Sequence, residues 1–179
     1  PEEITAVLPD GTALTVKGDS AHIFKADGID NAIVKLLKLL GERFPKDAEK
    51  LNGVAGLINS WHGETLGIDY ADELSGALQM GATAMAWEDG VLKVRVFIIL
   101  PVSADADEMT SRANCKAQTV GASAVKLRAR PSCSFPVDHP VVKVLTGVYN
   151  EVMHQESEPF VMSGGNYAAY LHNAFGFGP

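Results

Sequence analysis

Two short stretches carry residue types that could do chemistry. In the first, Gly18-Asp-Ser-Ala-His22 is followed, nine residues beyond the histidine, by Asn31-Ala32. An imidazole changes charge near neutral pH, so a histidine displayed by a loop can exchange a proton or donate a hydrogen bond. In the second, Ser163-Gly164-Gly165-Asn166 follows the apolar Phe160-Val161-Met162. A turn of that composition can present backbone N–H groups to an anion, although no Walker lysine follows to make it a nucleotide loop. His62, Glu64, His154 and His172 stand at no recognisable metal-ligand spacing, and His139 reads as part of a helix start. Neither Cys115 nor Cys133 has an activating partner or a nucleophile turn, which argues against a Cys-His hydrolase.

The elements that must hold these residues follow from periodicity. Thr5 to Leu8 and Thr12 to Val16 read as strands joined by the turn signal Pro9-Asp10-Gly11, and Gly18 ends the second of them. Asp30 stands where a helix N-cap belongs. From Asn31 the apolar residues Ile33, Leu36, Leu37, Leu40 and Phe44 keep to one helical face, and Pro45 supplies the stop. His22 therefore lies in a strand-to-helix connection, where a rigid scaffold tends to display functional side chains. Asp47 to Ile58 predicts a second helix, and Ala71 to Leu78 a loop or a short helix. Ala82 to Trp87 and Val91 to Leu100, joined by Glu88-Asp89-Gly90, predict a hairpin because Asp-Gly suits a tight turn. A helix capped by Ser103 or Asp105 should run to about Gln118. Beyond it Val125, Leu127 and Ala129 alternate with Lys126, Arg128 and Arg130 as in a half-exposed strand. Read from Thr12 to Arg130, with the second helix as an extra insert, the order is β-α-β-β-α-β, an α+β fold of the ferredoxin-like split type, with an antiparallel sheet carrying its helices on one face. The Pro- and Ser-rich run from Pro131 to Pro136 marks a boundary, giving a domain over 1–130 and a C-terminal segment over 131–179. That segment opens with a helix started by Asp138-His139-Pro140.

Length and charge exclude several function classes. With 179 residues the chain can build one domain with a proper core, or one domain and part of another. A formal charge of -7 and a pI near 5.2 argue against nucleic acid as the main partner. No apolar run approaches the roughly 20 residues of a membrane span, and the N-terminus lacks the pattern of a secretory signal. The two cysteines are expected to be reduced and structural, and the chain cytoplasmic.

Taken together, the strand, Gly18, Ala21-His22 and Asn31-Ala32 opening an amphipathic helix resemble the lid (dimerisation) domain of the M20 metallopeptidases. The C-terminal Gly164-Gly165-Asn166-Tyr167-Ala168-Ala169 and Asn173-Ala-Phe-Gly-Phe-Gly-Pro179 are similar to the Gly-Gly-Thr-Tyr-Ala-Arg and Val-Ala-Phe-Gly-Pro elements of the same family's PepV-type and Xaa-His dipeptidase branch. The two likenesses occur in the family's order, with the helix after Asp138 between them, and together they cover most of the chain.

The resemblance implies a two-domain dipeptidase whose catalytic domain holds two divalent metals, usually zinc. It implies further that His22 reaches over that site to hydrogen-bond the scissile carbonyl oxygen as charge develops there. Gly164, Gly165 and Asn166 would approach the C-terminal end of a dipeptide substrate. The family's metal ligands have no counterparts here; they are expected upstream and downstream, so this chain alone is expected to bind no metal pair and to hydrolyse nothing. There are departures: Asn166 stands in place of a threonine, Ala169 in place of an arginine, Ala26 in place of a proline, and Ile99 in place of an arginine. They put substrate choice in question and leave a weakly active or inactive homologue open. A reading from another class is a non-catalytic ferredoxin-like module for binding or oligomerisation, in which a free sheet edge could support a homodimer.

Overall fold

The computed structural model describes residues 1–20, 22–23, 28–161 and 167–178. The chain opens with a hairpin, β1 (Glu3–Val7) and β2 (Ala13–Lys17), in register from Glu3 opposite Lys17 to Val7 opposite Ala13. Its inward residues are Ile4, Ala6, Leu14 and Val16, and Thr5 and Thr15 join hydroxyls across the outer face at 2.8 Å. Helices α1 (Ala32–Arg43) and α2 (Ala48–Ile58) follow and pack on each other. Gly41 allows that close approach, because a Cβ there would come within 3.0 Å of the Asn52 carboxamide.

Helix α1 is the centre of the molecule because it offers apolar surface in two directions. Leu36 and Leu40 meet Leu8 and the first hairpin, whereas Ile33, Val34 and Leu37 meet Ala55 and Ile58 of α2 and, across from them, Ala82. Ala82 belongs to a long hairpin, β5 (Gln79–Glu88) and β6 (Val91–Ile99), which follows a two-residue ladder of β3 (Ala71–Asp72) and β4 (Gly76–Ala77). Residues Met85, Leu92, Val94 and Val96 of the long hairpin cover the α1–α2 layer. A second apolar cluster joins Leu66, Ile68, Leu78 and Met80 to Met109 and Ala113 of α3 (Ala106–Gln118). Ile33, Leu36, Leu37, Ile68, Leu78 and Met80 are the largest fully buried side chains; each contributes about 1.5–3 kcal/mol of transfer free energy.

The architecture is α+β with small antiparallel sheets, and the described hydrogen bonding divides it into three separate two-stranded ladders, β1–β2, β3–β4 and β5–β6. A ferredoxin-like sheet asks in addition for a strand at 125–130. Among the described residues that stretch forms no strand, and Val125 and Leu127 are both 74% exposed. Its period-2 alternation finds no neighbouring strand to pair with. Three smaller differences have equally local causes. Residues 71–78 form the short β3–β4 hairpin rather than a helix, with Gly76 at φ +76° supplying its turn. The cap of α1 is Asn31, not Asp30, because the Asn31 carboxamide oxygen accepts from the Ile33 N–H while Asp30 turns to Lys35. Helix α4 (Pro140–Met153) is likewise capped by His139 rather than Asp138, its Nδ1 accepting from the Val141 N–H at 3.3 Å.

Both cysteines are free, as expected, but both are exposed rather than structural. Among the described residues no helix is long and apolar enough to cross a membrane.

Candidate functional site

The connection that carries His22 begins where β2 ends. The Gly18 N–H donates to the Glu2 carbonyl at 2.8 Å, closing the first hairpin. Gly18 is required by space rather than by a break in the strand: a Cβ there would lie 2.6 Å from both the Ala32 nitrogen and the Asp30 oxygen. This contact brings the two ends of the loop together. The Asp19 N–H donates to the Asp30 carbonyl at 2.9 Å, and the Asp30 N–H donates back to the Asp19 carboxylate at 3.0 Å. Lys35, one turn into α1, forms an ion pair with Asp30 at 2.7 Å and reaches the Lys17 carbonyl at 3.4 Å.

The far side of the loop is tied to the long hairpin. While its oxygen caps α1, the Asn31 amide nitrogen donates to the Ala82 carbonyl in β5 at 2.9 Å. Ile23, next to the histidine, rests over Gly81 of β5; a Cβ at Gly81 would come within 3.0 Å of the Ile23 Cδ1 and 3.7 Å of the Trp61 ring. Between loop and strand lies a cavity of about 90 Å³ lined in part by Asp19, Ile23, Asn31, Trp61 and Thr83. His22 itself is exposed. The arrangement thus presents an imidazole outward from a loop tied at its base and seated beside the histidine. The cavity is well below the ~300–1,000 Å³ of small-molecule pockets, so a dipeptide needs further walls.

Gly164, Gly165 and Asn166, the other predicted site residues, lie outside the described residues. The chain after them makes a short 3₁₀ turn, Tyr167–Tyr170, and returns to α4. Cys133 Sγ donates to the Ala174 carbonyl at 3.2 Å, Phe135 stacks obliquely on Phe175 with ring centres 4.7 Å apart, and Tyr149 meets Phe177 edge-on.

Of the remaining candidate ligands, His62 and Glu64 are engaged by local structure. His62 Nδ1 sits 2.8 Å from the Leu78 carbonyl, to which it can only donate. Glu64 accepts from the Ser60 hydroxyl, whose oxygen also accepts from the Gly63 and Glu64 N–H groups at 2.9 and 3.1 Å. The hydrogen bond from the Ser60 hydroxyl, and after it the residue's own backbone N–H, hold the Glu64 carboxyl below its ordinary range. His154 is the left-handed C-cap of α4. Among the described residues no three His, Cys, Asp or Glu side chains converge as a metal site requires, so they do not fit the metal pair that the resemblance implies.

Comparison with known proteins adds one finding. The chain is similar to a Bacillus subtilis (strain 168) protein named "Putative dipeptidase YtjP", with 26% identity over 172 residues covering 93% of this chain. The likeness is to a dipeptidase. It covers 36% of that protein, so the chain spans about a third of the length of the curated relative it matches. No family model matches the chain.

The sequence singles out the histidine but not the residues that hold its loop. Asp19 and Asp30 are eleven positions apart, and each adjoins a residue with a structural task, Gly18 and Asn31 respectively. Paired Asx residues at the two mouths of a loop are the signal that could have shown them.

Proposed function

We propose that this chain is the lid portion, with a strip of the catalytic domain, of an M20-type dipeptidase that hydrolyses short peptides in the cytoplasm. In this reading residues 1–130 form the lid, with the ferredoxin-like split as its full sheet, and residues 131–179 belong with the catalytic domain. That domain, elsewhere in the parent protein, would hold two divalent metals, in the family usually zinc, which supply the activated water.

The chain's own contribution is hydrogen bonding and enclosure. A protonated ring nitrogen of His22 donates to the carbonyl oxygen of the scissile peptide, and the bond strengthens as that oxygen gains charge. Gly164, Gly165 and Asn166 meet the substrate's C-terminal end. Without the family's arginine at Ala169, that end is recognised by polar rather than ionic contact, which favours substrates whose terminal carboxylate is not the main handle. Covering the site with the lid excludes water and completes the donor set.

The observation that carries this reading is the likeness to a dipeptidase along 93% of the chain, joined to an exposed His22 on a loop secured at both ends. The test is dipeptide hydrolysis by the full-length protein and its His22→Ala variant. Loss of an oxyanion donor should lower turnover by about 2.7–4 kcal/mol of transition-state stabilisation. The 179-residue chain alone, with added zinc or manganese, should show no turnover. Equal rates for variant and parent would remove His22 from the mechanism, and hydrolysis by the chain alone would refute its role as a lid.

A further inference from the structure

His22 sits in a connection whose ends, Asp19 and Asp30, are eleven positions apart, and a loop of that length left open could carry its side chain through a wide range of positions. Among the described residues, two features limit it. At the base, Asp19 and Asp30 exchange hydrogen bonds of 2.9 and 3.0 Å, one of them through the Asp19 side chain. Beside the histidine, Ile23 lies on the buried backbone of Gly81, where no side chain lifts it from β5. Adjacent Cα atoms are about 3.8 Å apart, so seating Ile23 also fixes where the His22 backbone can be.

We propose that Asp19 and Gly81 are positioning residues for His22, the first clasping the loop's mouth and the second providing the seat that sets the imidazole's height above the long hairpin. This inference rests on the reading of His22 as the group that meets the substrate. Neither residue touches substrate. They act by keeping the ring in the narrow range of positions that hydrogen bonding to a reacting carbonyl demands, and misplacement of about 1 Å can cost on the order of a hundredfold in rate.

The test uses the full-length protein with Asp19→Ala, Asp19→Asn, Gly81→Ala and Ile23→Ala, followed by hydrogen exchange of peptides spanning 18–31 and by dipeptide kinetics. Asp19→Ala and Ile23→Ala should speed exchange in that segment and lower kcat by roughly tenfold to a hundredfold with little change in KM. Gly81→Ala should lower kcat similarly by displacing Ile23. Asp19→Asn retains an acceptor oxygen and should restore both readouts, which loss of a charge alone would not allow. In a His22→Ala background the same substitutions should cost nothing further in kcat, because they act through the ring. Unchanged exchange and kcat in Asp19→Ala and Ile23→Ala, or an equal loss with and without His22, would overturn the proposal while leaving the catalytic role of His22 standing. Should His22→Ala itself leave turnover intact, the reading beneath fails and this inference with it, whatever the exchange data show. If Gly81→Ala does not fold, Ile23→Ala tests the same seat by removing its occupant.

Discussion

Helices α1 and α4 carry the same kind of sequence signal and meet opposite fates. In α1 the apolar residues at helical spacing, Ile33, Leu36 and Leu37, are all fully buried between two hairpins and a neighbouring helix. In α4 the stripe Val141, Val144, Val148 and Val152 is 48% to 68% exposed, and Val142 is the buried residue of the helix. Amphipathic spacing therefore defines a face that favours being covered, but it does not name the cover. For α1 the cover lies within a few dozen residues on either side. For α4, the aromatic contacts of Phe135, Phe175 and Phe177 secure the neighbouring chain and leave the valine stripe bare. The proposed placement of residues 131–179 with a catalytic domain accounts for that stripe, since an uncovered apolar face of this kind marks a contact surface.

The sharpest way to break this contrast is to truncate one residue from each helix. Leu37→Ala should destabilise the 179-residue chain by about 2–5 kcal/mol, measured by urea unfolding, because it empties part of the packed interior. Val148→Ala should change stability by no more than about 0.5 kcal/mol in the same chain. In the full-length protein the Val148 substitution should cost clearly more. An equal, negligible effect in both settings would mean that the stripe stays uncovered.

A smaller effect belongs to the turn between α2 and β3, where a hydroxyl does what apolar packing does elsewhere. Ser60 is buried and serves the N–H groups of Gly63 and Glu64. Ser60→Ala should lower stability by about 1–3 kcal/mol by leaving the buried Gly63 N–H without its acceptor. A change within the error of the unfolding curve would show that water replaces the hydroxyl.

The gentlest contrast is one of pH. Asp72 accepts four hydrogen bonds, two from Ser75 and two from Ser103, which tie the β3–β4 hairpin to the chain after β6. These bonds, from the Ser75 backbone first, hold its carboxyl far below the usual carboxylate range. A folded-state pKa below the unfolded value means that the contribution is complete above about pH 4 and declines as the pH falls further toward the folded value. The stability difference between the parent chain and Asp72→Asn should therefore be flat from pH 7 to 5 and shrink below pH 4 in urea titrations. A difference that persists unchanged to pH 2.5 would assign it to geometry rather than charge.

Much of this architecture was legible in the residues. The hairpin around Pro9-Asp10-Gly11, helices α1 to α4, and the long hairpin turning at Asp89-Gly90 all follow from periodicity and turn chemistry. What was not legible depended on contacts distant in sequence. Residues 125–130 alternate like a strand, yet a strand exists only when another supplies its hydrogen bonds. The caps of α1 and α4 fall one residue later than expected, at α1 because Asp30 has a lysine a turn away and leaves the capping to Asn31, whereas α3 is capped by Asp105 as expected. At the site, the setting of His22 could be read from its neighbours. Its support could not, since Gly81 lies more than fifty residues along the chain and its use is visible only once β5 is laid beside the loop.

Asn31 has a consequence for motion. One carboxamide both begins α1 and grips β5, so sliding the helix along the strand would break a cap and a cross-link in the same step. The first helix, the long hairpin and the histidine between them are thereby coupled as a single stiff piece. In the proposed lid role, a swing that carries the imidazole toward a peptide would pivot at joints beyond this piece.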